Sequence, residues 1–167
     1  MKKALITGIT GQDGVYLADF LLKKGYSVVG AFRRTSHRSL ERLESFNLIN
    51  KVELVKMDLS DQISINKTIK SAQADEIYNL GAQSFVGDSF DQPLLTSTVN
   101  GLGALSIFEA VKEFSPNSKI YQASSSEMFG NSNEIKNENA RMSPASPYGI
   151  SKVFAHNLVR NYRESYN

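Results

Sequence analysis

Short apolar runs alternate along this chain with longer stretches in which apolar residues recur every three or four positions. The runs at 3–7, 26–32, 52–57, 76–78 and 119–123 have strand character. Strands that alternate with helical stretches build a parallel sheet from βαβ units, because each parallel neighbour is reached by a long crossover. Leu17, Phe20 and Leu21, spaced i, i+3 and i+4, predict the buried face of the first helix, and Gly25 predicts its end. A longer helix is predicted to open near Pro93, a residue suited to the first helical position. Leu95, Val99, Leu102, Leu105, Phe108 and Val111 mark its apolar face. Gly101 and Gly103 inside it each cost about 1 kcal/mol relative to alanine, so a neighbour is expected to approach closely there. Residues 131–147, rich in Asn, Ser and Pro, read as loop. Residues 161–167 lie in an amphipathic helical pattern with no stop signal, as in a chain that continues.

Composition alters this picture little. The 167 residues suffice for one domain, 1–167, and a hydrophobic share of 41% with 22% charged residues is that of a soluble globular protein. A net charge of +2 without a long basic block gives no case for nucleic acid as a partner. Cysteine is absent, which removes disulfides, thiolate metal sites and thiol catalysis and fits a reducing, cytoplasmic setting. Thr7 and Gly8 break the apolar start, and no stretch nears the ~18 apolar residues of a membrane span, so no membrane association is expected. His37 and His156 are far apart and lack ligand spacing, so no metal site is expected, and His156 reads as one more residue on its helix.

Gly8, Gly11 and Gly14 follow the first strand and open the first helix with G-x-x-G-x-x-G spacing. Glycines let a phosphate approach the backbone, the N–H groups point outward, and the helix dipole favours negative charge. A plain βα turn carries glycines too, but the position directly after a first strand favours a dinucleotide. At the end of the second strand an NAD enzyme tends to place a carboxylate for the ribose 2′-hydroxyl. This chain has Arg33 and Arg34 there, followed by Thr35 and Ser36. A guanidinium can clasp a 2′-phosphate bidentately, so NADP is the expected cofactor, with two solvated surface arginines as the plainer reading. Asp58 follows the third strand and reads equally as a helix cap near Asp61 or as a contact for adenine.

Tyr148 and Lys152 are four apart, just after Ser146-Pro147, which read as the N-cap and first residue of a helix. Both side chains then share one face, where the ammonium favours the phenolate that a proton-abstracting tyrosine needs. Lys152 could also hold the ribose hydroxyls of a nicotinamide cofactor. Ser124, Ser125, Ser126 and Glu127 lie directly beyond the fifth strand, at the carboxyl edge where ligands bind in open α/β sheets. A hydroxyl there can bond the substrate oxygen that Tyr148 deprotonates, and Glu127 adds a carboxylate beside it. A serine-rich turn with a solvated glutamate is the plainer alternative.

Gly8-Ile9-Thr10-Gly11-Gln12-Asp13-Gly14, Arg33-Arg34, Asp58-Leu59, Asn79-Leu80-Gly81-Ala82-Gln83-Ser84, Ala123-Ser124-Ser125-Ser126-Glu127 and Tyr148-x-x-x-Lys152 occur in this order. Together they resemble the GDP-mannose 4,6-dehydratases, a branch of the extended short-chain dehydrogenases. The resemblance implies a Rossmann-type doubly wound α/β fold of strand order 3-2-1-4-5, without its later strands and substrate domain. It implies NADP held by Gly8, Thr10, Gly11, Gln12, Asp13, Gly14, Arg33, Arg34, Asp58, Leu59, Leu80, Gln83, Ser84, Tyr148 and Lys152. It implies a catalytic set of Ser125, Glu127, Tyr148 and Lys152, with GDP-mannose contacted by Ser84, Ser125, Glu127 and Tyr148. A homo-oligomeric full-length protein is implied as well, and the 167 residues alone are expected to fold but turn over poorly. Serine at 125 stands where family members more often carry threonine, and supplies the same donor and acceptor. Leu95 stands where relatives carry a larger, polar-tipped residue, which puts a cofactor contact there in doubt. The rival readings are a GDP-sugar reductase, a dTDP-glucose dehydratase and a non-catalytic NADP-binding module. A reductase has no need of Glu127, the dTDP-glucose enzymes would carry Asp where Ser126 stands, and a binding module has no need of all four of Ser125, Glu127, Tyr148 and Lys152.

Overall fold

Five parallel strands form one sheet: β1 (Lys3–Thr7), β2 (Ser27–Phe32), β3 (Glu53–Lys56), β4 (Glu76–Asn79) and β5 (Lys119–Gln122). Their order is β3-β2-β1-β4-β5, seen in a computed structural model that describes residues 1–36, 40–131 and 135–166. Each strand lies within one residue of its expected bounds. The central β1 pairs Leu5 with Val29 of β2 on one side and with Ile77 of β4 on the other. Crossovers are made by α1 (Gln12–Lys23), α2 (Glu41–Ser45), α3 (Gln62–Ala72), α4 (Asp88–Asp91), α5 (Pro93–Ser97) and α6 (Gly103–Phe114). The helix α7 (Pro147–Tyr166) comes after β5.

Alternation along β1 divides the core between two faces of the sheet. Ala4 and Ile6 pack with Val15, Ala18 and Leu21 of α1, whereas Leu5 packs with Ile65 and Ile69 of α3 and Ile107, Phe108 and Val111 of α6. Each fully buried aliphatic side chain contributes about 1.5–3 kcal/mol, so both helical layers are anchored by the same short strand. Doubly wound sheets carry their ligands at the carboxyl edge of the strands, beside the point where the order reverses, here between β1 and β4.

Two expectations about helix faces need correction. In α1 Leu21 is buried, but Leu17 is half-buried and Phe20 is 52% exposed; Gly14, Val15 and Ala18 face inward instead. Small residues occupy that face because the helix starts against the chain leaving β1. A Cβ on Gly14 would lie 2.5 Å from the Gly8 carbonyl oxygen. Phe20 remains outside, with the Lys24 ammonium 4.5 Å from its ring centroid.

The long helix from Pro93 to Phe114 is interrupted by a π turn, Thr98–Leu102. One extra residue in a turn rotates the remainder of the helix by roughly 100° relative to a regular one. Leu102, expected inside, is therefore exposed, and Leu95, ahead of the π turn, is exposed as well, while Asn100, Gly101, Gly103, Ala104 and Ile107 are buried together with Phe108 and Val111. The close approaches expected at the two glycines are present: a Cβ would lie 3.2 Å from the Phe154 ring at Gly101 and 2.8 Å from the Leu59 carbonyl oxygen at Gly103. By length and mean hydropathy this helix alone among the described residues could cross a membrane, although polar residues break its apolar run as the sequence shows. Half of its apolar window is buried within the fold, where α6 packs on α3 and α7.

Candidate active site

The chain leaving β1 makes the tight turn that the glycines require. Gly8 has φ +67°, and the Gly11 N–H donates to its carbonyl at 2.9 Å. Gly11 is the N-cap of α1, and no side chain caps that helix among the described residues. The first N–H groups of α1 thus have no side-chain partner and remain available to an anion, with Gln12 and Asp13 exposed in the first helical turn. Arg42 of α2 reaches back to donate to the Thr10 carbonyl at 3.0 Å. Beyond the turn lies a cleft of about 400 Å³, lined among others by Gly8, Thr10, Arg33, Asp58, Leu59 and Gln83. Arg34 and Ser84 are exposed beside those residues, and Leu80 packs toward the α1-side core. Leu95 borders the cleft, as do Asp88 and Gln92, which the sequence reading missed. His37 lies outside the described residues.

Asp58 is placed in the cleft and does not cap a helix. Asp61 takes that role, accepting from the Ile63 N–H at 3.0 Å. The Asp58 carboxylate accepts from the Ser60 hydroxyl at 2.7 Å and the Ser60 N–H at 2.9 Å. Burial pushes its pKa up, but the Ser60 bonds and the charge of Arg33 outweigh burial and hold it below the usual aspartate value. The cleft fits a dinucleotide on two further observations. A Cβ on Gly8 would fill the close approach to Gly81, 2.9 Å from its Cα, and Gln83 holds a buried Oε1 with no partner among the described residues. An acceptor left without a donor costs free energy, and a ligand N–H or O–H would satisfy it.

Polar side chains lock the carboxyl edge of the sheet. The Gly81 N–H donates to Thr7 Oγ1 at 2.9 Å, and Thr7 donates to Asn79 Oδ1 at 2.7 Å. Asn79 Nδ2 donates to Gln122 Oε1 at 2.7 Å, and Gln122 Nε2 donates to the Ala123 carbonyl at 3.1 Å. From the π turn, Asn100 clamps Gln83 twice: its Oδ1 accepts from the Gln83 N–H at 2.8 Å and its Nδ2 donates to the Gln83 carbonyl at 2.9 Å. No local motif pointed to this network. Its one available signal was a run of polar residues at strand ends and inside an apolar helix.

The expected catalytic residues are brought to that edge. Ser125 caps a 3₁₀ turn, Ser126–Phe129, its Oγ accepting from the Glu127 N–H at 3.2 Å, so its own hydrogen is free to donate. Helix α7 begins as expected: Ser146 Oγ accepts from the Gly149 N–H at 3.0 Å. The helix lies directly on the turn, since a Cβ on Gly149 would sit 2.7 Å from the Glu127 carbonyl oxygen. Tyr148 is 8% exposed and Lys152 4%. The Lys152 ammonium lies 5.7 Å from the Tyr148 ring centroid and donates to the Ala123 carbonyl at 3.1 Å. Burial pushes the Lys152 pKa below the usual lysine value. His156 is more than one further residue on this helix, because its Nδ1 lies 2.8 Å from Ser124 Oγ. A hydroxyl donor, a carboxylate, a buried tyrosine and a buried ammonium thus come from the turn after β5 and the start of α7, at the carboxyl edge of the sheet that also bears the cleft, a set suited to proton transfer at a hydroxyl.

The model of the GDP-mannose 4,6 dehydratase family matches residues 5–167. A GDP-mannose 4,6-dehydratase of Yersinia enterocolitica is 45% identical over 99% of this chain and 47% of its own length. The Homo sapiens GDP-mannose 4,6 dehydratase is 45% identical over 98% of this chain and 46% of its own. The chain therefore spans about half the length of the curated relatives it matches. Among solved structures, a UDP-glucose 4-epimerase of Thermotoga maritima superposes with a TM-score of 0.87 at 21% identity, over 98% of this chain and 52% of that one. A dTDP-glucose 4,6-dehydratase of Bacillus anthracis in complex with NAD gives 0.82 at 23%, over 99% and 52%. At such identities these structures speak for the fold.

Proposed function

The chain belongs to the GDP-mannose 4,6 dehydratase family, and from that membership we propose that it carries the cofactor cleft and proton-transfer groups of a cytosolic enzyme converting GDP-mannose to GDP-4-keto-6-deoxymannose. The observation that carries the reading is the seating of α7 on the turn after β5, where Gly149 lies against the Glu127 carbonyl and Lys152 donates to the Ala123 carbonyl. The cofactor is NADP, and the chemistry it would supply when bound is acceptance of the C4 hydride as the ketone forms and its return to C6 after water has left. Gly8, Thr10, Gly11, Gln12, Asp13 and Gly14 hold its phosphates, Asp58, Leu59, Leu80, Gln83 and Ser84 its remaining faces, and Lys152 its ribose. Arg33 and Arg34, directly after β2, take the 2′-phosphate, at the strand end where an NAD enzyme would place a carboxylate.

Tyr148 removes the proton of the sugar 4-hydroxyl, with the Ser125 hydroxyl donating to the same oxygen. The C4 ketone acidifies the C5 proton, which the Glu127 carboxylate removes. Protonated Glu127, or the Ser125 hydroxyl, then donates to the departing 6-hydroxyl, so water leaves. Ser84 contacts the sugar beside them. A GDP-sugar reductase or a dTDP-glucose dehydratase is not favoured, because curated relatives at 40–45% identity over the chain are GDP-mannose dehydratases. The rest of the sugar-nucleotide pocket is assigned to chain beyond these residues. Further strands would add at the outer edge of β5, where an apolar groove between α6 and α7 includes Phe108, Ile120 and Val159. The full-length protein is a homo-oligomer.

Two measurements test this. Calorimetry should find NADP binding at least tenfold tighter than NAD, about 1.4 kcal/mol, with the preference lost when Arg33 and Arg34 are both alanine. Equal binding of NAD would overturn the NADP assignment. In the full-length protein Glu127→Gln should lower GDP-mannose turnover by about a hundredfold or more with NADP affinity unchanged; a variant as active as its parent removes Glu127 from the chemistry.

A further inference from the structure

We propose that His156 is a positioning residue, which holds the turn bearing Ser125 and Glu127 in register with Tyr148 while Lys152 serves the cofactor. The proposal rests on the dehydratase function proposed for the chain. The last ladder bond of the sheet beyond β5 runs from the Ala123 N–H to the Asn79 carbonyl at 3.2 Å, and there the chain departs from the sheet. Contacts from one face of α7 catch it. Gly149 lies against the Glu127 backbone, Lys152 donates to the Ala123 carbonyl, and His156 Nδ1 meets Ser124 Oγ at 2.8 Å. Lys152 and His156 are one helical turn apart while Ala123 and Ser124 are consecutive, so two side-chain rungs join the helix to the departing strand.

The rungs differ in what else they serve. The Lys152 ammonium divides its three donors between the Ala123 carbonyl and, in the function proposed, the cofactor ribose. The rung from His156 to Ser124 uses no group assigned to cofactor or substrate, so it stays throughout the cycle. It also tolerates either charge on the ring: neutral imidazole accepts from or donates to the serine hydroxyl, and imidazolium donates to it. Ser124 is bonded directly to Ser125, whose Oγ accepts from the Glu127 N–H. Releasing Ser124 therefore shifts the hydroxyl donor and the carboxylate together, relative to a tyrosine fixed on the helix.

The test has two arms. In this chain, amide exchange at Glu127 and Met128 should quicken roughly five- to tenfold in His156→Ala and in Ser124→Ala, the range of one lost hydrogen bond. It should quicken no further in the double variant, and His156→Asn, whose amide reaches the place of Nδ1, should restore slow exchange. In the full-length protein kcat for GDP-mannose should fall by a similar factor in His156→Ala, with KM and melting temperature unchanged and kcat restored by asparagine. Unchanged exchange in the single variants, or additive effects in the double, overturns the tether. Quickened exchange with unchanged kcat overturns its role in positioning. If the parent protein turns over no GDP-mannose, the functional reading has failed, and the exchange arm decides the tether by itself.

Discussion

Replacing Asn100 by alanine probes the join between the π turn and the cofactor cleft. Asn100 is 3% exposed, and its amide satisfies both the N–H and the carbonyl of Gln83, at 2.8 and 2.9 Å. Alanine leaves two main-chain groups of a half-buried residue without those partners. A stranded buried polar group costs about 1–3 kcal/mol. Water can reach a half-buried residue, which brings both near the lower end, so the expected loss is about 2–3 kcal/mol in urea unfolding monitored by circular dichroism. For a chain of this size that corresponds to a fall in Tm of roughly 4–12 °C. Asn100→Asp separates the two bonds: its carboxylate still accepts from the Gln83 N–H but faces the Gln83 carbonyl without a hydrogen to donate, so it should be no better than alanine. Because Gln83 lines the cleft, NADP affinity should fall about tenfold in both variants, which is about 1.4 kcal/mol. An alanine variant within about 0.5 kcal/mol of its parent, the margin of an ordinary surface substitution, with unchanged affinity, would refute the clamp.

Gly14→Ala should weaken NADP binding by more than about tenfold. Its Cβ would meet backbone atoms at 2.5 Å (Gly8 O) and 2.8 Å (Ile9 Cα), and the overpacking cost of about 1–3 kcal/mol exceeds the roughly 1 kcal/mol of helix propensity gained; unchanged calorimetric affinity would count against it. Hydrogen bonds from Tyr78 and then Lys2 hold the Glu76 carboxyl below its ordinary 4.5. Its stabilisation is therefore complete above that value and drains away as pH falls through the folded-state pKa, so Glu76→Gln should flatten the loss of stability below about pH 4.5; parallel acid-unfolding curves for variant and parent would contradict this. Leu94, Leu102, Ile150 and Phe154 leave an exposed apolar surface on neighbouring helices, and Leu94→Glu with Leu102→Glu should lower the sedimenting mass of the full-length protein; an unchanged mass places the subunit contact elsewhere. Residues 1–167 alone should bind NADP but not turn over GDP-mannose, and turnover by them would show that the sugar pocket needs no further chain.

What the sequence made legible was local. Each strand is a short apolar run with a break on either side, and such runs locate themselves within a residue. The Ser146 cap, the tight turn at Gly8 and the spacing of Tyr148 and Lys152 depend on neighbours at most four positions away. The carboxyl-edge rule for open sheets then brings the ends of β1, β2 and β5 together without knowledge of any contact. Asp58 shows the limit of such reasoning. Two acidic residues three apart compete for one cap, and only the geometry of the turn gives it to Asp61.

The illegible part was set by partners distant in sequence. Hydrophobicity ranks Phe20 above Ala18, yet α1 turns its small residues inward because the gap is fixed by the backbone leaving β1. Periodicity in the helix from Pro93 assumed a constant 3.6 residues per turn, and the π turn broke that phase before Leu102. The polar locks join residues 72, 43, 32 and 17 positions apart, from Thr7 to Asn79, Asn79 to Gln122, Ser124 to His156 and Asn100 to Gln83. One of them still left a trace in the sequence. Asn100 is the one side-chain amide in the helical stretch 93–114, and a buried amide there costs free energy unless something bonds it. Its partner must be a main-chain or polar group brought to the helix by the fold. The loop after β4 supplies one, since it leaves the sheet without a ladder bond and needs an anchor where it borders the cleft. A lone amide in an apolar helical stretch is thus a pointer to the site, and a better one here than the apolar period that surrounds it.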